Sequence, residues 1–514
     1  MHMEKKTSDF NKVLGSWDIL VMAFGAMIGW GWVISTGNWI KEGGVIGAAL
    51  GFALGGVMIF FVGLTYAELT PAMPQCGGEH VFSYRAMGPV GSFICTWAII
   101  YGYVGVVCFE ACAFPTIIGY LFPSFMQGYL YTVAGFDIYA TWLAVAVIMS
   151  VLMTYVNIRG VKTAAKLQSV LTIIIGLAGI VLIASSAVTG DLSNLEEQAF
   201  IGTGSTSFKS VLAVAVTTPF FYIGFDVIPQ AAEEIKVELK KIGKIMLLSI
   251  LLAVAFYSLV ILAVGYEMNG KEISDAMQGN GLVSADAIAK AFGTKAMANV
   301  LIIGGMCGIL TSWNSFLVGG SRALYSMAES YMVPRFLGKL HPRYKTPVTA
   351  LYLIGVLSVA APFAGRQMLV WISDAGNFGC VLAYCMVSLS FLILRKKNPG
   401  MKRPYKVKHY KIVGTIAVIL SASMLMMYVI PGSGSTLAFQ EWILLGGWVL
   451  LGIVFFFVCR KQYGVKFGTM TEIISDSDAM ALQASDEELS LVLDKAIDEA
   501  ISYVLTLESS GSVL

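Results

Sequence analysis

Three acidic side chains interrupt apolar runs: Glu110 within VVCFEACAF, Asp226 within YIGFDVIPQ and Asp374 within WISDAGNFG. A carboxyl inside hydrocarbon is costly, so it marks a ligand or proton path or else is hydrogen-bonded between helices. Such a group can neutralise a cation or carry a proton; the structural alternative is a protonated acid that stitches two helices together. Asp18 and Glu68 fall near the ends of apolar runs, where an interfacial position suffices. A second chemistry comes from uncharged oxygens. GILTSW, Gly308 to Trp313, places the hydroxyls of Thr311 and Ser312 side by side. Hydroxyls and free carbonyls are ligands for a hard cation, although Ser and Thr also bond their own helix.

The third chemistry belongs to the backbone. AFGAMIGWGWVISTG, Ala23 to Gly37, is apolar, yet it carries Gly25, Gly29, Gly31 and Gly37, two of them interleaved with Trp30 and Trp32. Each glycine inside a helix costs about 1 kcal/mol relative to alanine. Half a chain later, TTPFFYIGFDVIPQAAEEI sets Gly224 between Pro219 and Pro229. An unwound helix in a bilayer is tolerated only where its freed N–H and C=O groups line a cavity or meet a ligand. The N–H groups, at the positive end of a helix dipole, suit a carboxylate. The C=O groups suit an ammonium or a metal cation, and a zwitterion fits both. The alternative for Gly25 and Gly29 is close helix packing through small residues.

The elements that must position these groups are membrane helices. Of 514 residues, 57% are hydrophobic and 13% charged, against about 25% charged in soluble domains; mean hydropathy is +0.75. A span needs about 20 apolar residues, and segments of that kind are expected at 17–40, 43–69, 90–122, 138–158, 166–189, 208–232, 242–267, 296–328, 347–365, 367–394, 411–431 and 441–461. The first run follows a polar stretch through Lys12, has no small-residue cleavage site after it, and reads as a retained helix. Basic residues crowd 395–411, with further Lys and Arg at 157–166, 233–244 and 335–345, while 123–137, 190–207 and 431–441 carry none. The positive-inside rule then puts the basic loops and both termini in the cytoplasm. Residues 464–514 are acidic and read as a solvated tail; one amphipathic stretch, 486–507, could instead bind a partner. The eight cysteines show no CxxC pair and read as small packing residues.

The glycine breaks fall in the first and sixth expected spans. Interruptions at corresponding places in two halves point to a transporter binding site, and five spans per half place the halves in opposite orientation. The expected organisation is a cytoplasmic segment 1–16, a first repeat 17–189, a second repeat 208–394, two peripheral spans in 411–461 and the tail 464–514.

At these residues the chain resembles the amino acid–polyamine–organocation permeases. IGWGW (28–32) resembles their first-helix IGxGI turn, and YIGFDVIPQAAEEI (222–235) resembles the sixth-helix signature of their cationic-amino-acid branch. AELTPAMPQCGGEHVFSYRAMG (67–88), NIRGVKTAAKLQ (157–168), GGSRALYSMAES (319–330) and HPRYKTP (341–347) resemble further landmarks. The resemblance implies an all-α membrane protein of about twelve helices, with a five-plus-five inverted repeat, broken helices one and six, and alternating access around a central amino-acid site. By resemblance, Ile28, Gly29, Trp30 and Gly31 form the first break; Phe220, Phe221, Tyr222, Ile223 and Gly224 form the second, where one aromatic closes over substrate. Trp30 replaces a commonly small residue and would shrink or change the site. Glu110 and Asp226 join this substrate set.

Proton-coupled members carry a lysine in helix five, where this chain has Ile175 after Thr172. Sodium-coupled relatives of the fold use helix eight instead, which makes Gly25, Ile28, Gly308, Thr311 and Ser312 candidate sodium ligands. No cofactor is expected beyond a coupling Na+ or H+. The expected partners are an amino acid or another amine and the lipid bilayer of the plasma membrane, not nucleic acid. HExxH, GxSxG and P-loop motifs are absent, and His2, His80, His341 and His409 lie outside the expected spans; an enzyme is not expected. A polyamine carrier and a transporter-like nutrient sensor are the rival readings.

Overall fold

The computed structural model describes residues 5–6, 8–133, 136–202, 204–278, 281–433, 436–470 and 472–473. The amphipathic stretch at 486–507 lies outside them. Helices dominate. In chain order they are α1 Ser16–Met27, α2 Gly31–Ile34, α3 Thr36–Gly43, α4 Val45–Ala72, α5 Glu79–Leu121, α6 Ala140–Ile158, α7 Val161–Thr189, α8 Leu192–Glu197 and α9 Ser205–Phe221. Then follow α10 Val227–Gln230, α11 Leu239–Glu267, α12 Gly270–Gln278, α13 Val283–Phe292, α14 Lys295–Glu329, α15 Val348–Ala360, α16 Arg366–Lys397, α17 Tyr410–Val429 and α18 Phe439–Tyr463. Two small strand pairs depart from an all-helical chain. β1 Lys5–Lys6 runs parallel to β4 Glu472–Ile473, and β2 Tyr129–Val133 forms an antiparallel hairpin with β3 Phe136–Tyr139. The hairpin lies in the basic-free loop 123–137, where YLYTV has the aromatic and β-branched content that favours strands.

Ten helices among the described residues are long and apolar enough to cross a membrane. Two of the twelve expected segments fall short. In 208–232 the helix stops at Phe221 because the chain unwinds there. In 347–365 a helix of 13 residues gives way to a 3-10 turn, Ala361–Ala364. The third segment differs at its start. Its helix begins at Glu79 and kinks at Gly88, whose φ of 79° suits glycine. Pro89 follows, and proline disfavours helical backbone in the residue before it.

The basic loops meet at one end of the bundle. The Arg159 guanidinium lies 5.5 Å from the Tyr344 ring centre, and Thr346 Oγ1 donates to the Ile158 carbonyl at 3.0 Å. The amides of Val13 and Leu14 both donate to the Glu234 carbonyl at 2.9 Å. Beneath them Arg322 Nε pairs with Glu234 Oε1 at 2.8 Å, both side chains buried. Gly77 donates to the Gln230 carbonyl, and Gln230 bonds Glu79. This end is closed.

Glu68 is not interfacial. It is fully buried in α4 and contacts Arg395 at 2.5 Å and Arg403 at 3.0 Å, while accepting the Val407 amide at 2.7 Å. One carboxylate thus fastens the most basic loop to the bundle. Asp18 does lie at a helix start, where it accepts the Gly15 amide at 2.8 Å. Removing one partner of a buried ion pair leaves an uncompensated charge and costs about 3–5 kcal/mol. Glu68→Ala is therefore expected to lower the thermal denaturation midpoint in detergent substantially. An unchanged midpoint would contradict the clamp.

Candidate functional site

The first break is held open by helix contact. α1 ends at Met27, and Ile28 still donates to the Phe24 carbonyl at 3.0 Å. Gly29 and Trp30 then leave the helix, and Gly31–Ile34 is a single turn. Among the described residues the amide N–H groups of Gly29 and Trp30 have no acceptor. The two residues press on a glycine face of α14. A Cβ on Gly308 would come 2.6 Å from the Gly29 carbonyl oxygen, and one on Gly305 would strike the Trp30 indole. The two tryptophans have different jobs. Trp30 lines a cavity. Trp32 is fully buried, edge-on to Phe256 at 5.4 Å, and its carbonyl accepts from Thr36 at 2.6 Å and Ser284 at 2.9 Å. Because α2 has only one turn, its dipole is small, and the unpaired amides rather than a helix end carry the anion-binding potential.

The second break spans Tyr222 to Asp226, two residues later than the expected Phe220 to Gly224, with Phe220 and Phe221 in the last turn of α9. Gly224 has φ 142°, and a Cβ there would lie 2.7 Å from Ala26 Cβ and 3.1 Å from the Met27 amide nitrogen. Only glycine meets both demands, and the second break touches the end of α1 as a result. Asp226 Oδ1 accepts the Gly224 amide at 2.8 Å, and Oδ2 accepts the Tyr103 hydroxyl at 2.6 Å. This acid is fully buried and serves as a clamp on the break, not as part of the cavity wall. Tyr222 also turns away, donating to the Phe52 carbonyl at 2.8 Å.

A cavity of about 490 Å³ opens beside both breaks. Of the expected residues, Gly29, Trp30, Gly31, Glu110, Phe220, Phe221, Ile223 and Ser312 line it. Ile28, Tyr222, Gly224, Asp226, Gly25, Gly308 and Thr311 lie behind its wall. Phe221 covers Gly31, whose added Cβ would sit 2.5 Å from the ring, and Phe220 stands edge-on to Phe221 at 5.0 Å. Glu110 is 4% exposed. One of its oxygens takes the Ser312 hydroxyl, while Oε2 has no hydrogen-bond partner among the described residues.

Away from the breaks the wall carries Glu42, Asp374, Asn377, Tyr428 and Glu441, and it reaches Thr436 and Ala438 in the basic-free loop before α18. Four carboxyls and no Lys, Arg or His line the cavity among the described residues. Burial raises the Glu42 carboxyl above its ordinary range. Glu441 was hidden in the sequence because an acid in the first turn of a helix reads as a cap, and it does accept the Ala438 amide at 2.7 Å.

The candidate cation ligands divide. Thr311 Oγ1 lies 2.8 Å from the Gly25 carbonyl and 2.9 Å from that of Gly308, so three of the expected oxygens converge. Ser312 turns to Glu110 instead. Ile175 is fully buried and would meet a Cβ on Gly308.

Comparison with known proteins follows the same outline. The model of the family described as amino acid permease matches residues 18–466. The chain is 26% identical over 461 residues to the branched-chain amino acid permease BcaP of Bacillus subtilis, covering 88% of this chain and 93% of that protein. It is 23% identical over 476 residues to the aspartate-proton symporter of the same organism, covering 90% and 86%. With cationic amino acid transporter 4 of Mus musculus it shares 25% over 404 residues, covering 76% and 60%. The whole described cavity wall, Ala26 to Glu441, falls inside the matched span, and the chain belongs to the amino acid permease family.

Proposed function

We propose that the chain is a secondary active permease that moves amino acids across the plasma membrane by alternating access. The observation that carries this reading is the pair of unpaired amides, Gly29 and Trp30, on the wall of an otherwise acid-lined cavity. Unsatisfied N–H groups at membrane depth need a partner, and an α-carboxylate supplies one. Glu110 Oε2, buried and unpartnered, takes the α-ammonium. Phe220 and Phe221 close the side over substrate. The relatives differ in the side chain their names specify, branched-chain, aspartate or cationic, but share the amino acid. A polyamine or other amine without a carboxylate would leave the amides idle. A nutrient sensor would bind without flux, which counterflow in proteoliposomes distinguishes.

The chain crosses the bilayer twelve times in this reading, and the segments 208–232 and 347–365 complete the ten long apolar spans. Repeats 17–189 and 208–394 run in opposite senses, with a broken helix opening each. The contact of Gly224 in the second break with Ala26 at the end of α1, which brings the two broken helices together, supports this. The basic loops and both termini are cytoplasmic. The cavity then reaches outward while Arg322 and Glu234 close the cytoplasmic end.

The coupling ion is sodium, held by Thr311 Oγ1 and the Gly25 and Gly308 carbonyls. Their convergence supports it, as does Ile175, an apolar residue in the place of a proton-carrying lysine. Proton coupling through Glu110 is the second reading, favoured by the unpartnered oxygen of that buried acid.

Glu110→Gln is expected to weaken every transported amino acid by about 2–5 kcal/mol, the cost of removing one partner of a buried charge pair. Affinities measured by competition against a labelled substrate check this; unchanged affinities would rule out the pairing. Gly31→Leu places a side chain against Phe221 and should abolish binding while the protein still inserts, and normal uptake by it would contradict the site. Thr311→Ala should remove sodium-stimulated uptake. A wild type indifferent to sodium but driven by inward proton flow would contradict the sodium site and favour Glu110.

A further inference from the structure

We propose that the outer wall of the cavity, built by Asp374, Asn377, Tyr428 and Glu441, is a second subsite that takes the side-chain ammonium or guanidinium of a basic amino acid. The inference rests on the permease reading and adds the class of side chain.

The two carboxyls come from different helices, Asp374 from α16 and Glu441 from α18, and stand as neighbours on one cavity wall. Adjacent carboxylates repel unless a proton or a cation stands between them. No basic side chain among the described residues lines this cavity to serve as that cation. A structural stitch between α16 and α18 would need only the two acids. The surroundings hold more than that. Asn377 lies one turn along α16 from Asp374, is 5% exposed and faces the cavity. Its carboxamide makes no hydrogen bond among the described residues and lies on the cavity wall, where a ligand can reach it. Glu110, on the same cavity wall, has an oxygen, Oε2, with no hydrogen-bond partner among the described residues. Tyr428 of α17 adds a phenol, and its ring stands edge-on to Phe378 at 6.1 Å.

This donor set suits an organic cation. An alkylammonium has three N–H groups and a guanidinium five, enough to engage the two carboxyls and the Asn377 carbonyl together. A resident metal is a poorer fit, since no group of three or more His, Cys, Asp or Glu that could hold one occurs among the described residues. The volume of about 490 Å³ lies within the usual range for small-molecule sites, roughly 300–1,000 Å³. A substrate anchored at Gly29, Trp30 and Glu110 can extend a long basic side chain toward α16 and α18. A neutral side chain gains nothing there.

The test is counterflow by the full-length protein in proteoliposomes, with lysine, arginine, leucine and cadaverine as probes. The variants are Asp374→Asn combined with Glu441→Gln, and Asn377→Leu separately. The ratio of lysine to leucine uptake should fall at least tenfold in the double variant and several-fold in Asn377→Leu, with leucine uptake reporting that each is folded. Equal loss of lysine and leucine in both variants, or an unchanged ratio, would make the acid pair a structural link and overturn the subsite. Cadaverine should compete poorly because it lacks the carboxylate; competition equal to that of lysine would assign the wall to diamines and overturn the assignment to basic amino acids. A wild type that takes leucine but neither lysine nor arginine overturns the subsite and leaves the permease reading standing. A wild type that exchanges no amino acid overturns that reading itself.

Discussion

The structure depends on a constraint of the bilayer: a backbone amide there must find a partner within the protein, at a cavity or in a ligand. At Gly29 and Trp30 the chain leaves two such groups unpaired beside a cavity. Everything nearby serves that arrangement. Gly305 and Gly308 thin α14 so that Trp30 and the Gly29 carbonyl can press into it. Gly224 thins the second break so that it touches the end of α1. Thr311 ties the Gly25 carbonyl to α14, and the Tyr257 hydroxyl ties the Met27 carbonyl to α11, at 2.8 Å each. Two carbonyls just before the break are thus bonded by side chains, while the Gly29 and Trp30 amides have no acceptor among the described residues.

Environment, not residue type, sorts the buried acids. Asp226, Glu68 and Glu110 all lie within apolar segments. Asp226 has a hydrogen bond on each oxygen and stabilises a turn. Glu68 has two arginines and fixes a loop. Glu110 has one oxygen bonded and one free at the cavity wall. Of the three, Glu110 alone lines the cavity.

Much of this was legible in the sequence. Gly29 and Gly31 on either side of Trp30, and the pair of prolines around Gly224, mark both breaks because each is a costly choice in a membrane helix. The extent of the second break was not legible, because its end is set by Asp226 reaching Tyr103 on α5, a contact across 123 positions. Nor was the choice among Phe220, Phe221 and Tyr222, which turns on whether each side chain meets the cavity or, for Tyr222, a carbonyl of α4. Glu441 escaped notice because its signal is that of an ordinary helix cap. Its place in the cavity wall follows from how α18 packs on α16, which no local pattern encodes. The membrane spans followed directly from hydropathy, except where a break or a short helix shortened the regular segment.

The central claim is that backbone amides of the first break recognise a carboxylate. The most direct measurement is competition in counterflow between a transported amino acid and the amine left when its carboxylate is removed, side chain unchanged. Two hydrogen bonds to a charged acceptor, each worth about 1.5–3 kcal/mol, predict that the amine competes at least a hundredfold more weakly. An amine that competes as well as its parent amino acid would contradict the claim.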